Sequence, residues 1–270
     1  MTFCSELVID GLSIRYRVDG ARQGPWLVFS NSLMTDMSVW ANQVEALGER
    51  FRILRYDQRG HGGSDVPAQV PTFQRLAHDV LALLDHQEID RCTFVGLSMG
   101  VPTGLALWQA ESSRIARLVL VDGQAKTAPG GGAMWQERID FVRKHGMKAF
   151  ADTVMPRWFS PDTLESGRAE SVREGMVSTP MEGFAAMAGA LQSFDFSDVL
   201  GSISVPTLLL VGENDGQAPV VMEHMHQQIA GSRYRVIPGA GHIPNWERPD
   251  LFNAVLGEFL TDEFRPDVEA

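Results

Sequence analysis

The chain has 270 residues, of which 44% are hydrophobic and 21% are charged, a composition typical of a globular protein with room for one large α/β domain and an insertion. Its 23 basic and 34 acidic side chains give a formal net charge of −11 without a cluster of Lys or Arg, which excludes the electrostatic pattern of a nucleic-acid binder. The longest apolar runs are far shorter than the roughly 18 residues that span a bilayer, so no membrane association is expected.

Apolar and alternating runs predict strands and helices in regular succession. Two hairpin-like strands separated by Asp-Gly lead into a buried strand at 26–30, and a 3.6-residue period predicts a helix over 73–86. This alternation predicts a mainly parallel, eight-stranded sheet with helices on both faces. The remaining predicted elements are strands at 3–9, 12–18, 51–57, 91–97, 115–122, 205–212 and 233–238, and helices at 41–48, 99–110, 218–230 and 249–260.

The alternation of strands and helices is interrupted between the strands at 115–122 and 205–212. This stretch contains a Gly-Gly-Gly turn at 130–132 and helical patterns, but no clear strand. We therefore predict a core domain formed by residues 1–123 and 201–270, with residues 124–200 inserted as a helical cap.

The start of the sequence and the two cysteines predict a cytoplasmic protein. The first twenty residues are interrupted by acidic side chains and lack an apolar run of signal-peptide length. Cys4 and Cys92 lack the spacing of a disulfide framework or a metal site, so we expect two buried thiols in a reducing compartment.

A nucleophile motif lies between a predicted strand and a predicted helix. Residues 96–100 read Gly-Leu-Ser-Met-Gly, or G-x-S-x-G, which places Ser98 on a sharp strand-to-helix turn. The two glycines allow neighbouring backbone to approach, and Pro102 suits the first turn of a helix. The alternative is an ordinary turn with two glycines, but its flanking strand and helix are predicted independently of the motif.

A serine hydroxyl needs a base, and this type of site takes its partners in the chain order Ser, acid, His. His242 lies in a glycine-rich loop before the last helix, whereas His61 occupies a tight turn and is expected to be structural. Asp215 and Asp122 each follow a buried strand, at the sheet edge where α/β proteins carry their sites. We favour Asp215 as the acid that orients the imidazole, with Asp122 as the competing candidate.

An oxyanion formed during attack on a carbonyl needs two preorganised backbone N–H donors. Met99 directly follows the nucleophile, and its N–H is the first candidate. Leu33, in the Asn-Ser-Leu segment after the strand at 26–30, is the second. A loop without this role is the alternative reading of the second segment.

Several further segments suggest a family. They are 30–33 with Thr35, Asp36 and Trp40, then 54–57, 59–62, 156–159 and 247–248, together with the motif at 96–100. In these segments the chain resembles the 3-oxoadipate enol-lactonases, α/β-hydrolases of bacterial aromatic catabolism. The resemblance implies an α/β-hydrolase fold and hydrolysis of a small lactone or carboxylic ester through an acyl-enzyme. No metal or organic cofactor is expected, because the sequence contains no ligand cluster for one.

The chain departs from the family at three places near the expected acyl pocket. Met34 stands where the family has glycine, and residues 101–102 and 121–123 also differ from its pattern. A methionine beside the oxyanion loop adds bulk, which predicts a narrower or differently shaped substrate.

Substrate contacts are expected from the cap, because it covers the site. A carboxylated substrate would need a cation there, since the net charge of the chain opposes anions. The alternative role for such side chains is to bridge the cap to the sheet. The predicted substrate-contacting residues are Met34, Trp135, Arg138, Arg157 and Trp158.

Two rival functions remain open at this stage. The same scaffold could act on another bond, by carbon–carbon cleavage of a diketone, amide hydrolysis or perhydrolysis. A non-catalytic receptor for a small molecule is the other rival, against which the complete set of Ser, Asp and His argues. The expected partner is a small-molecule substrate, and the sequence makes no prediction of oligomeric state.

Overall fold

The computed structural model describes residues 4–261 of the chain. In this part, eight strands form one sheet in the order β1-β2-β4-β3-β5-β6-β7-β8, where the two pairs β1/β2 and β2/β4 are antiparallel and the others parallel. The predicted mainly parallel sheet of eight strands is confirmed. The strands are β1 (Ser5–Ile9), β2 (Leu12–Gly20), β3 (Trp26–Ser30), β4 (Arg52–Tyr56), β5 (Cys92–Leu97), β6 (Ile115–Val121), β7 (Thr207–Gly212) and β8 (Arg233–Ile237).

The central strands are buried on both faces. Every residue of β3, β5 and β7 is buried, although successive side chains point to opposite faces of a sheet. Helices must therefore cover both faces, which explains why these strands read as continuous apolar runs. The edge strands β1 and β8 carry exposed Val8 and Val236.

Helices occupy the connections between the parallel strands. α2 begins after Thr72, whose hydroxyl accepts a hydrogen bond from the N–H of Arg75, and it buries the apolar face predicted from its 3.6-residue period. The helices of the described residues are α1 (Ala41–Leu47), α2 (Phe73–His86), α3 (Gly100–Glu111), α4 (Gly131–Trp158), α5 (Pro161–Glu165), α6 (Glu170–Ser178), α7 (Met181–Ala190), α8 (Ser197–Leu200), α9 (Ala218–Gln228), α10 (Pro244–Glu247) and α11 (Pro249–Thr261).

Five of these helices, α4 to α8, lie in the long connection between β6 and β7. The ends of the connection meet, because Thr127 N–H donates to the carbonyl of Phe194 at 2.9 Å and Phe196 N–H donates to that of Ala125 at 2.8 Å. Gly146 interrupts α4 with a φ of 82°, so the helix has two arms. The helical content agrees with the expected insertion, and its division from the core at residues 124 and 200 stays a prediction.

The cysteine prediction is half wrong. Cys92 is buried in β5, but Cys4 is exposed because it precedes an edge strand rather than a central one. The predicted strand at 3–9 begins at Ser5, and its first residue lies outside the described part. Between residues 4 and 261, no helix has both the length and the apolar character needed to cross a membrane.

Candidate active site

The nucleophile motif forms the sharp turn that joins β5 to α3. Ser98 has a φ of 55°, in the left-handed region, and its N–H donates to the carbonyl of Val121 at 2.7 Å. A Cβ on Gly96 would collide with the carbonyl of Gly100, and a Cβ on Gly100 would lie 2.6 Å from the carbonyl oxygen of Ser30. Both glycines are therefore required by close backbone contacts, as the sequence pattern predicted.

Three side chains distant in sequence form one hydrogen-bonded chain at the carboxyl edge of the sheet. His242 Nδ1 donates to Asp215 Oδ2 at 2.7 Å. This bond leaves Nε2 free of a proton, and Nε2 accepts from the hydroxyl of Ser98 at 2.9 Å. The imidazole is thus held in the tautomer that can take a proton from the serine. The geometry joins His242 to Asp215 and not to Asp122.

Two residues, Trp158 and Glu247, fix the loop that carries His242. The N–H of His242 donates to the carbonyl of Trp158 in the cap at 3.0 Å, and the two aromatic rings lie 5.0 Å apart. Buried Glu247 accepts from Gly241 N–H at 2.7 Å and, with its other oxygen, from Ser160 N–H at 2.7 Å. Glu247 therefore links the histidine loop to the end of α4.

Asp122 lies behind Asp215, which explains why both residues looked like candidate acids. It is buried, has a φ of 43°, and its Oδ1 accepts from Gly212 N–H at 2.9 Å. Burial first, and then the charge of Asp215, raise the pKa of Asp122 well above its usual value. Burial alone would raise the pKa of Asp215, but the charge of His242 and its hydrogen bond, followed by a hydrogen bond with Asp122, lower it below its usual value.

His61 holds the predicted oxyanion loop. Met34 N–H donates to His61 Nε2 at 2.8 Å, and the opposite ring nitrogen donates to the carbonyl of Arg59 at 3.1 Å. Burial lowers the pKa of His61 to about 4, which keeps the ring neutral and able to accept. Across residues 4–261, no backbone carbonyl accepts from the N–H of Leu33 or Met99, so these two donors remain for a ligand.

A cavity of about 320 Å³ opens onto this constellation. Ser98, Asp215 and His242 lie on its wall, as do Leu33 and Met99. All five predicted substrate contacts also line it, namely Met34, Trp135, Arg138, Arg157 and Trp158. Trp158 additionally bridges the cap to the histidine loop, which is the alternative role considered for the cap residues.

The two arginines of the cavity have no acidic partner. In the described part of the chain, no carboxylate lies within ion-pair distance of the guanidinium of Arg138 or Arg157. The Arg138 guanidinium lies 4.4 Å from the centre of the Trp135 ring. Burial and then the charge of Arg157 lower the pKa of Arg138. Two like charges that face one cavity without an ion-pair partner favour an anion in that cavity.

One cluster of side chains could in principle bind a metal ion. Asp122, Asp215 and His242 each bring a potential ligand atom within 4.8 Å of the others. However, His242 Nδ1 and Asp215 Oδ2 are already joined by a 2.7 Å hydrogen bond. A metal at this point would break the bond that orients the imidazole, which argues against metal binding by these three side chains.

Fold and site together define the class of the protein. The model of the Alpha/beta hydrolase family matches residues 26–255, and the chain belongs to this family. The chain is a hydrolase, and the family suggested by its sequence segments is confirmed.

Two particular enol-lactonases and one esterase illustrate what the chain is similar to within the family. It is 34% identical to 3-oxoadipate enol-lactonase 1 of Acinetobacter baylyi over 93% of this chain and 94% of that protein. The crystal structure of the enol-lactonase from Burkholderia xenovorans superposes with a TM-score of 0.90 at 40% identity, over 96% of this chain and all of the other. A malate-bound thermophilic esterase from Thermogutta terrifontis gives a TM-score of 0.88 at 30% identity, over 96% and 98% of the two chains.

Sequence reasoning missed three supporting residues. His61 was expected to be structural, but its bond to the oxyanion loop was not foreseen. Glu247 was noted only as part of a family segment, and Asp122 only as a rival acid. A carboxylate just before the last helix and a polar residue directly after a buried strand are the signals that could have indicated the last two.

Proposed function

We propose that this hydrolase opens a small carboxylated lactone or hydrolyses a small carboxylated ester, with Ser98 as nucleophile, His242 as general base and Asp215 as the orienting acid. The observation that carries the proposal is the continuous hydrogen-bonded chain of these three residues on the wall of a cavity that is also lined by two arginines without an ion-pair partner. The enol-lactonases and the esterase described above support it.

The reaction begins when Ser98 Oγ attacks the carbonyl carbon of the substrate. His242 Nε2 takes the hydroxyl proton across the 2.9 Å contact, and Asp215 stabilises the resulting imidazolium. When the tetrahedral intermediate collapses, His242 returns this proton to the leaving oxygen, which stays attached to the product if the substrate is a lactone. His242 then activates a water molecule that hydrolyses the acyl-enzyme and releases the acid.

The backbone N–H groups of Leu33 and Met99 are proposed to bind the oxyanion. The N–H of Met34, the residue after Leu33, already donates to His61, so the loop presents the N–H of Leu33 in a fixed orientation. Preorganised donors of this kind require no rearrangement as charge develops on the oxygen.

The substrate carboxylate is proposed to bind between Arg138 and Arg157. A guanidinium binds a carboxylate through paired N–H donors, and neither of these groups has such a partner among residues 4–261. This local pair provides the cation that a chain with a net charge of −11 requires to hold an anion.

A panel of purified-protein assays tests the proposal. We expect hydrolysis of carboxylated enol-lactones, weaker hydrolysis of neutral aryl esters, and no activity on β-diketones or amides. Ser98→Ala should abolish turnover, whereas Ser112→Ala, an exposed serine, should not. Activity restricted to diketones would overturn lactone hydrolysis in favour of carbon–carbon cleavage.

A second assay separates the enzyme from a receptor built on the same fold. A serine-directed phosphonate should label the wild-type chain covalently, and Ser98→Ala should prevent labelling. If the wild-type chain binds small carboxylates but resists labelling, the receptor is the better description. A role in aromatic catabolism and a cytoplasmic location remain predictions from the sequence.

A further inference from the structure

We propose that Asp122 carries a proton on Oδ2 and donates it in a hydrogen bond to the Asp215 carboxylate, so that a neutral second carboxyl group positions the acid of the site. This inference rests on the proposed function, in which Asp215 orients His242. Asp122 does not contact the reacting atoms and is therefore a positioning residue.

The contacts of the two carboxyl oxygens of Asp122 differ. Oδ1 accepts from Gly212 N–H at 2.9 Å, which extends the junction between β6 and β7 beyond the last backbone bonds. Oδ2 is buried and has no donor directed at it within the described residues. A buried carboxylate oxygen without a donor is costly, whereas a protonated oxygen beside an acceptor is satisfied.

The neighbouring acceptor is Asp215, and a carboxyl oxygen of each aspartate lies within 4.8 Å of the other. Two carboxylates at this distance cannot both stay ionised in a buried site, so one must hold the proton. Asp215 faces His242 and the positive charge of Arg157, which favour its ionised form. Asp122 is more deeply buried than Asp215, and it is Asp215 that accepts the hydrogen bond of His242, so the proton belongs to Asp122.

The backbone of Asp122 supports a positional role. Its φ of 43° is rare for a residue with a side chain, and its N–H donates to the carbonyl of Leu210 at 3.0 Å. Strained backbone and two fixed hydrogen bonds hold the carboxyl group in one orientation at the side of Asp215. The other groups with electrostatic influence on this pair are His242, Arg157 and, beyond them, Tyr234.

Two substitutions at Asp122 test whether its side chain acts as a hydrogen-bond donor or only fills space. Asp122→Leu removes both hydrogen bonds, whereas Asp122→Asn keeps an acceptor for Gly212 and an N–H donor for Asp215. We expect the rate of phosphonate labelling at Ser98 to fall about 10-fold in Asp122→Leu and to be largely restored in Asp122→Asn. An equal loss in both variants, or no loss in Asp122→Leu, would overturn the inference.

Infrared spectroscopy of the wild-type chain tests the proton directly and does not depend on the folding of Asp122→Leu. At pH 8 we expect the carbonyl stretch of a protonated carboxylic acid, lost in Asp122→Asn and retained in Asp140→Asn, an exposed control. Asp57, whose pKa burial raises to about 6, is ionised at that pH. Absence of the band in the wild-type chain would contradict the inference.

The two proposals can fail separately. A wild-type chain that resists labelling but shows the infrared band contradicts the nucleophile assigned above and leaves the protonated Asp122 standing. A chain that is labelled at Ser98 but lacks the band contradicts only the role of Asp122.

Discussion

The carbonyl of Trp158 accepts a hydrogen bond from the N–H of His242 at 3.0 Å, while the indole and imidazole rings lie 5.0 Å apart. A residue at the end of α4 in the insertion thus fixes both the backbone and the ring of the proposed base. A Cβ on Gly241 would collide with the same carbonyl, so glycine at this position is needed for the contact. The long connection between β6 and β7 therefore both lines the cavity and positions the proposed base.

Loss of the Trp158 ring should slow catalysis. Trp158→Ala keeps the backbone bond but removes the aromatic contact, so we expect phosphonate labelling at Ser98 to fall about 3-fold to 10-fold. Trp158→Phe, which retains a ring, should recover most of the rate. The labelling rate is a better measurement than KM, because Trp158 also lines the cavity and its loss could change substrate binding directly. An alanine variant that labels at the wild-type rate would show that the backbone bond alone orients His242.

The acid should be identified by amide substitution. Asp215→Asn removes the charge that stabilises the imidazolium and favours the wrong tautomer, so we expect kcat to fall about 10³-fold or more with little loss of stability. Circular dichroism of the variant should match the wild-type chain. If Asp215→Asn retains most of its activity while Asp122→Asn loses it, the assignments of the two aspartates must be exchanged.

Arg138 should discriminate between charged and neutral substrates. Arg138→Gln removes one of the two cations that line the cavity without an ion-pair partner, so kcat/KM for a carboxylated lactone should fall about 10-fold to 100-fold. The same lactone with its carboxylate converted to an uncharged methyl ester should be opened by Arg138→Gln at nearly the wild-type rate. Arg143→Gln, an exposed arginine of the same helix that does not line the cavity, is the matched control. An equal loss for both substrates would indicate a structural role for Arg138.

Met34 should limit the size of the substrate at a cost in backbone strain. It has a φ of 64° and is 3% exposed. Met34→Gly relieves about 1 kcal/mol of backbone strain but loses about 2 kcal/mol of stabilisation from the buried side chain. The greater conformational entropy of the unfolded glycine chain costs about 0.5–1 kcal/mol more. We expect the free energy of unfolding, measured in urea, to fall by about 1–2 kcal/mol. The ratio of kcat/KM for bulky over small lactones should rise, and an unchanged ratio would exclude Met34 as a specificity residue.

His61 should make the stability of the chain sensitive to acid. Its pKa is lowered to about 4 by burial, below its unfolded value of about 6.5, so the unfolded chain binds the proton more readily. The contribution of neutral His61 is complete above pH 6.5 and is lost as the pH falls towards 4. We expect the wild-type chain to lose about 2–3 kcal/mol more than His61→Gln between pH 7.5 and pH 4.5.

Urea unfolding of the two chains at both pH values measures this difference. Burial raises the pKa of Asp57 to about 6, and its ionisation therefore destabilises the folded chain as the pH rises through about 4 to 6. This opposite effect is present in both chains and cancels in the comparison. Equal pH dependence in the two chains would show that His61 is not the group responsible.

The sequence alone determined the fold class and the main members of the site. Continuous apolar runs such as β3 and β7 indicate strands buried on both faces, and the turn at 96–100 requires glycines that can be read locally. Ser98, His242 and the two candidate aspartates could be named because each follows a recognisable strand, and parallel strands bring their carboxyl ends to one edge.

Only the tertiary structure decided which aspartate meets the histidine, because Asp122 and Asp215 occupy equivalent places after neighbouring strands, and the choice depends on side-chain distances. The same holds for the contacts of His61 with Met34 and of Trp158 with His242, which join residues far apart in the chain. Local sequence patterns show which residue types a turn or strand tolerates. Hydrogen bonds across the sheet edge depend on packing at distances of about 3 Å, which no local pattern encodes.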